Sequence, residues 1–336
     1  MSLQFIIGSS GNGKSCYAYQ NIIEQAGLHP EKLFYVIVPE QFTMQTQKTL
    51  VEMSPGRGIL NIDILSFERL AYRVLEEVGR DSRILLEETG KSMVLQKMVQ
   101  QHGKELSYLG GQMRKAGYLD EVKSILSEFM QYDIRDSEIQ EMIEDSGDRA
   151  LLQMKLKDVA VLYQAFTGYL KDHYMTGEEV MDALEKALPF SEKMKNSVLL
   201  LDGYTGFTPI QMRVVGELLA VCEKVMVTVT MDADENLSMR GKPYQLFYMS
   251  RQMIHGLSEL TREIETPVLL KDVGKSRFSQ APALHFLEKN IFRYRKNIYK
   301  KAQDEICMFS AVNPQKEMEE AARRIARLVR ERLPLR

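Results

Sequence analysis

Cysteine is scarce in this chain. Its 336 residues include three, Cys16, Cys222 and Cys307, far apart and with no CxxC among them. That spacing implies neither a disulfide framework nor a zinc site, and reads as core filling in a reducing compartment. The five histidines, His29, His102, His173, His255 and His285, form no metal-ligand spacing either. No apolar run approaches the roughly 20 residues of a membrane-spanning helix. The first residues enter a strand-like run at once, which leaves no room for a signal peptide. Net charge is nearly absent, at −2 from 44 basic and 46 acidic residues. Nothing global therefore marks a nucleic-acid protein, although a local basic groove is compatible with that balance. What remains is ordinary globular composition, 44% hydrophobic and 27% charged, in a chain long enough for a large core. The chain reads as soluble and cytoplasmic, with no membrane partner.

The most informative stretch is Phe5-Ile6-Ile7-Gly8-Ser9-Ser10-Gly11-Asn12-Gly13-Lys14-Ser15. It carries G-x-x-x-x-G-K-[ST] in full, after an apolar run and before a helix-like one, which is the context the pattern demands. Each part has a physical role. The glycines let the backbone curl so that successive N–H groups face phosphate oxygens. Lys14 reaches the β- and γ-phosphates, and Ser15 offers its hydroxyl to Mg²⁺. The helix over about 14–25 aims its positive end at the same phosphates. Residues Gly8, Ser9, Ser10, Gly11, Asn12, Gly13, Lys14 and Ser15 are thus the expected nucleotide-binding set, with ATP and Mg²⁺ as ligands. The competing reading is a glycine-rich turn without a ligand.

The pattern predicts strands at 3–7, 33–38 and 59–65, the second continuous and apolar as a strand buried on both faces should be. A helix over about 43–53 lies between the last two. Strand, helix and strand with short loops is the signature of a parallel sheet. From about 67 to 188 the period becomes helical, with stripes at Val94, Leu95, Met98 and Val99, at Val122, Ile125, Leu126 and Phe129, and at Leu152, Leu156, Val159, Leu162 and Tyr163. The sheet resumes at 198–202. A helix over 209–221 follows, capped by Thr208 with Pro209 at its first position. The next strand is 225–230. Residues 247–260 read as helix, 261–274 as loop or edge strand, 281–295 as helix, 306–311 as a final strand and 317–332 as an amphipathic helix striped by Met318, Ala321, Ile325 and Val329. A lone strand and helix cannot bury the strand. The expected domains are therefore the first part of an α/β domain (1–80), an all-helical insertion (81–190), the rest of the α/β domain (191–300) and the start of a truncated second α/β domain (301–336).

Val198-Leu199-Leu200-Leu201-Asp202 has the form of the second NTPase motif, an apolar strand ending in an acid that holds Mg²⁺ through water. A loop-capping carboxylate is the other reading of Asp202. Many ATPases place a glutamate directly after this aspartate to align the attacking water, but here Gly203 stands there. After the strand at 225–230 comes Met231-Asp232-Ala233-Asp234-Glu235, with no Gln or Arg for a γ-phosphate, and no glutamine-bearing adenine-reading segment precedes Gly8. The expectation is a site that binds ATP well and hydrolyses it poorly alone.

Several further strings are specific. Val38-Pro39-Glu40-Gln41-Phe42-Thr43, Leu65-Ser66-Phe67-Glu68-Arg69-Leu70-Ala71-Tyr72 and Leu201-Asp202-Gly203-Tyr204-Thr205-Gly206-Phe207-Thr208-Pro209 resemble the B subunit of the bacterial AddAB (RexAB) helicase–nucleases. Ala311-Val312-Asn313-Pro314, with Glu317, Glu319 and Ala322-Arg323-Arg324-Ile325, is similar to the start of that family's second motor domain. The likeness runs in order through nearly the whole chain. It implies a P-loop NTPase fold of the superfamily 1 helicase kind with a helical insertion. It implies a subunit of a hydrolase complex that resects double-strand breaks for recombinational repair, paired as a heterodimer with an active A helicase–nuclease subunit. The B motor is degenerate and scans one strand for a short hotspot sequence, in keeping with Gly203. The family's C-terminal nuclease domain and four-cysteine iron–sulfur cluster have no counterpart in three scattered cysteines, so the chain resembles an N-terminal fragment.

The resemblance also places single-stranded DNA across the tops of the strands. There the loops offer Gln41 and Thr43 for hydrogen bonds, Arg69 for phosphate or base edges, and Phe67, Tyr72, Tyr204 and Phe207 for stacking. Phe67 and Phe207 read equally as core residues at strand–helix junctions. The run Arg293-Tyr294-Arg295-Lys296 with Tyr299-Lys300-Lys301 reads as a solvated helix end or as a track for a phosphate backbone. Two other classes stay open on residues alone. One is a P-loop small-molecule kinase or other NTPase with the helical insertion as a lid. The other is a structural partner that has lost nucleotide binding.

Overall fold

The computed structural model describes residues 2–331 apart from 57, 59, 80–83, 114, 172–173, 272–276 and 294–295. It divides into two compact units, Met1–Val273 and Gly274–Arg336.

The first unit opens with β1 (Ser2–Gly8), α1 (Lys14–Leu28), β2 (Phe34–Ile37), a single 3₁₀ turn at Glu40–Phe42, α2 (Thr43–Met53), β3 (Ile62–Leu65) and α3 (Phe67–Val78). A helical part follows: β4 (Ile84–Leu85), α4 (Glu88–His102), α5 (Leu109–Gln112), α6 (Ala116–Gln131), α7 (Asp136–Asp145), α8 (Ala150–Leu170), β5 (Tyr174–Met175) and α9 (Gly177–Ala187). The sheet then resumes with β6 (Val198–Leu201), α10 (Pro209–Val221), β7 (Lys224–Thr230), α11 (Tyr248–Leu260) and β8 (Val268–Leu270).

Six strands form one parallel sheet in the order β3-β2-β6-β7-β1-β8. Period 2 sorts their side chains onto two apolar faces. Phe5, Ile7, Tyr35, Ile37, Leu199, Leu201, Val225, Val227 and Val229 pack with α3, α9, α10 and α11. Ile6, Phe34, Val36, Val38, Leu200 and Met226 pack with α1 and α2. Because all strands run the same way, the loops after Gly8, Ile37, Leu65, Leu201 and Thr230 emerge at one edge.

Helix α10 starts where its local signals place it. Thr208 accepts from Gln211 N at 3.4 Å, and the Gln211 side chain accepts from Thr208 N at 3.1 Å, a closed capping box ahead of Pro209. The short parallel pair β4–β5 brings the entry and exit of the helical part side by side. Its own core includes Leu95, Met98, Val122, Leu126, Leu162 and Phe166. Leu152, placed on the third helical stripe, is exposed. Helix α9, grouped with the insertion on periodicity, instead joins the core under the sheet through Val180, Met181 and Leu184, as α3 does through Leu70, Ala71 and Val74. A buried carboxylate ties the helical part together. Asp158, inside α8, accepts from the backbone N–H of Ser107, Tyr108 and Leu109 and from the Ser107 hydroxyl at 2.7–3.0 Å.

The second unit contains α12 (Pro282–Asn290) and α13 (Pro314–Arg330). Residues 306–311 form no strand, contrary to the expectation from their apolar run. A strand is stabilised by its neighbour, and none of the described residues pairs with this segment. Helix α12 stops at Asn290, short of the expected 295, and Tyr294 and Arg295 of the basic–aromatic run lie outside the described residues. None of α13 is buried, and its stripe residues Met318, Ile325 and Val329 are exposed.

Candidate functional site

The loop Ser9–Gly13 leaves β1 and enters α1 without an intervening turn of helix. Gly11 and Gly13 take φ of 79° and 81°, the left-handed region that glycine reaches without strain. Gly8 is needed for a different reason. A Cβ there would lie 3.1 Å from the Leu270 carbonyl oxygen and 3.3 Å from Lys14 Cγ, so the side chain of Lys14 passes where any larger residue would stand. Lys14 Nζ donates to the Ser9 carbonyl oxygen at 3.1 Å, which folds the ammonium back over the loop. Asn12 Nδ2 donates to Leu270 O at 3.3 Å and anchors the loop to β8.

Asp202 faces this loop from the end of β6. Its backbone N–H extends the ladder to Ile37 O at 3.0 Å, so it keeps the even register and points to the α1 side of the sheet. Strand β7 lies between β6 and β1, and Thr228 on it shares that register. Three hydroxyls converge on the buried carboxylate: Ser15 Oγ at 3.0 Å, Thr228 Oγ1 at 2.6 Å and Tyr19 OH at 2.5 Å. Tyr19 also lies 3.4 Å from Thr46 Oγ1 on α2. Burial, then the charge of Asp202 and its hydrogen bond, push the Tyr19 phenol well above its ordinary range, so it stays a donor at neutral pH. Asp202 is therefore held by side-chain hydroxyls rather than capping a loop. The donor set fits Mg²⁺: a serine hydroxyl and a carboxylate side by side are hard oxygen ligands, and Mg²⁺ keeps several of its waters in such sites.

Gly203 has φ of 82°, and a Cβ there would meet Pro39 Cδ at 3.5 Å. The absence of a glutamate after Asp202 is thus built into the backbone. On the far side of the loop, Met231 N donates to Gly8 O at 3.2 Å, and Ser9 Oγ donates to Asp232 Oδ1 at 2.7 Å. Sequence reasoning does not single out Tyr19, Thr228 or Asp232 as members of this site. Tyr19 carries a faint signal, since it stands one helical turn after Ser15 on the same face.

The expected DNA-contacting residues divide. Phe67, Tyr204 and Phe207 meet as a three-ring cluster, with centroids 5.5 Å, 6.2 Å and 5.2 Å apart for Phe67–Tyr204, Phe67–Phe207 and Tyr204–Phe207. Phe67 is buried in the sheet core, which makes it the base of the cluster rather than a platform. Tyr204 and Phe207 are half-buried, and burial raises the Tyr204 phenol as well. Thr43 is buried, and its hydroxyl closes the 3₁₀ turn on Glu40 O at 2.9 Å. Gln41 is exposed. Arg69 pairs with Glu40 at 2.9 Å across the two loops. The Tyr72 hydroxyl donates to Glu68 Oε1 at 3.1 Å, and burial followed by the Glu68 charge pushes its pKa up to about 12. A cavity of about 760 Å³ opens between these loops and the helical part, with Phe67 and Tyr204 in its wall. Its charge is acidic: among the described residues Glu40, Glu68, Glu87 and Glu88 line it against Lys91 alone, whose ammonium lies 2.9 Å from Glu88.

The family model described as ADDB, N-terminal, matches residues 5–288. This chain belongs to the AddB family. It is similar to the B subunit of the ATP-dependent helicase/deoxyribonuclease of Lachnoclostridium phytofermentans, with 43% identity over 98% of this chain and 29% of that one. Proteins of the same name in Caldanaerobacter subterraneus subsp. tengcongensis and Clostridium acetobutylicum match at 33% and 32% identity over the same shares. The chain thus spans about 29% of the length of the AddB relatives it matches. Among the described residues no helix is long and apolar enough to cross a membrane, and no group of three metal-binding side chains occurs.

Proposed function

We propose that this chain is the ATP-binding, single-strand-reading part of a helicase–deoxyribonuclease subunit. It acts on DNA beside an A helicase–nuclease subunit in a heterodimer that resects double-strand breaks for recombinational repair. Nuclease chemistry and the iron–sulfur cluster are assigned to the part of such subunits that this chain does not span. The reading of a P-loop NTPase site rests on one observation above all: the insertion of β7 between β6 and β1 brings Asp202 within 3.0 Å of Ser15 at the mouth of a complete phosphate loop. The loop N–H groups and Lys14 would hold the phosphates, and Ser15 with Asp202 would hold Mg²⁺, which neutralises charge on the β- and γ-oxygens when bound. Turnover is slow, because Gly203 leaves the position after Asp202 without the glutamate that active motors carry there.

The acidic lining of the cleft supports a particular mode for single-stranded DNA. Four carboxylates against one paired ammonium repel a phosphate backbone, so the bases face the cleft and the ring of Tyr204 in its wall, backed by Phe207, provides contact. Binding then leans on stacking and has a shallow salt dependence for the length bound. The test of the whole reading is a calorimetric titration with ATP·Mg²⁺. Parent chain binds, and Lys14→Ala does not; unchanged affinity in a folded Lys14→Ala variant would sink the proposal.

A further inference from the structure

Among the described residues, Asp232 is the carboxylate bonded to the phosphate loop itself, since Asp202 faces Ser15 on the first turn of α1. It follows β7, the strand that lies between the one carrying Asp202 and the one carrying the loop. Its position is determined twice. The hydrogen bond from Met231 N to Gly8 O continues the β1–β7 ladder one residue past its last paired position, Gly8 with Thr230. Beyond it, the segment is fastened to α11 by Arg251, a buried guanidinium that pairs with Glu235 and donates to Asn236 O at 2.7 Å and Met239 O at 3.1 Å. Asp232 is half-buried, and its Oδ1 accepts from Ser9 Oγ at 2.7 Å. Ser9 is the first residue of the loop after Gly8, and its carbonyl oxygen is the one to which Lys14 Nζ donates.

The neighbouring strand end does not supply this group, since Gly203 follows Asp202. Gly203 has φ of 82°, a conformation that side-chain-bearing residues reach only at a cost. A carboxylate at the mouth of a phosphate loop is the group that nucleotide hydrolysis requires, because it can align a water and take its proton. We infer that Asp232 is the catalytic base of this site, standing in for the glutamate that β6 lacks. The inference rests on the reading of the loop as an ATP site.

In the step so assigned, Asp232 accepts a hydrogen bond from a water. The water oxygen forms a bond to the γ-phosphorus, and the bond from that phosphorus to the β–γ bridging oxygen breaks. The electron pair leaves with ADP, and the water proton passes to the Asp232 carboxylate. The products are ADP and orthophosphate. Ser9 has a consistent part, since its hydroxyl holds Asp232 to the loop and can turn to a phosphate oxygen.

The experiment measures two quantities on the whole chain, ATP·Mg²⁺ affinity by calorimetry and orthophosphate release under single-turnover conditions, in parent, Lys14→Ala, Asp232→Asn and Asp232→Ala. Asp232→Asn keeps the shape and the Ser9 contact but not the basicity. Its affinity stays within about threefold of parent while release falls by about 10²-fold or to the Lys14→Ala background, the size expected for a positioned base. In Asp232→Ala, sodium formate restores part of the release and sodium chloride at equal concentration does not. The inference is overturned if Asp232→Asn releases phosphate within threefold of parent, if parent is no faster than Lys14→Ala, if affinity falls in step with release, or if formate does no more than chloride. A parent chain that binds no nucleotide overturns the reading of the loop itself, which separates the two failures.

Discussion

Replacing Tyr19 by Phe removes one oxygen and leaves the ring in place, so its cost isolates the bond to Asp202. The phenol donates to Asp202 Oδ2 at 2.5 Å, while Ser15 and Thr228 share Oδ1. After the change Oδ2 loses its donor inside a carboxylate that is 5% exposed. A hydrogen bond to a charged group contributes about 1.5–3 kcal/mol, and the two donors left on Oδ1 put the expected loss near the lower end, about 1.5–2 kcal/mol. The contact with Thr46 at 3.4 Å is too long to add much. Such a loss is roughly a 10–30-fold change in the unfolding equilibrium. At about 2–4 °C per kcal/mol for a unit of this size, the melting midpoint drops by about 3–8 °C. The assay is thermal unfolding at pH 7, repeated along a pH series. The Tyr19 pKa is raised in the fold above its ordinary 10.0, so its proton stabilises the fold fully below pH 10 and that contribution is lost as pH rises beyond it. The difference between parent and Tyr19→Phe should therefore narrow above about pH 10. A midpoint within 1 °C of parent at pH 7 (less than about 0.5 kcal/mol) would show that the phenol does not hold Asp202 in solution.

Other outcomes follow from named contacts. Gly203→Glu should leave ATP turnover low and cost about 1–2 kcal/mol, because the new residue must adopt φ near 82° beside Pro39; active-motor rates in this variant would show that the backbone there is free to move. Phe67→Ala should destabilise the chain by about 3–5 kcal/mol as a core truncation, visible in urea unfolding, whereas Phe207→Ala should mainly weaken single-stranded DNA binding and spare ATP affinity. Arg69→Ala should lower the salt slope of DNA binding by about one phosphate if it contacts the backbone; an unchanged slope with relaxed sequence preference would assign it to a base edge instead. Asp158→Ala should cost about 3 kcal/mol or more, since it strands the N–H groups of Ser107, Tyr108 and Leu109, and hydrogen exchange confined to the helical part would report it.

Much of the molecule is decided locally and can be read from residues in order. The turn from β1 through Gly8 to Lys14 needs glycine where φ is positive, and the pattern carries glycine at those positions. Helix α10 runs from Pro209 to Val221 because Thr208 and Gln211 cap it reciprocally, a signal contained in four residues. The continuous apolar runs of β2 and β6 announce strands covered on both faces, and both are fully buried. Strand order is another matter. Nothing along the chain says that β7 inserts between β6 and β1, yet that neighbour relation brings Thr228 to Asp202 and Asp232 to Ser9. Tyr19 looks like one more apolar-face residue until Asp202, 183 positions away, is set against it. Residues 306–311 make the same point in reverse: their apolar run is strand-like, but a strand exists only through its partner's N–H and C=O groups, and none of the described residues provides them. Sequence alone determined the elements whose hydrogen bonds close within a few residues, and it singled out Asp202; the pairings that close over hundreds, which set Tyr19 and Thr228 around Asp202 and Asp232 against Ser9, were decided by the tertiary structure.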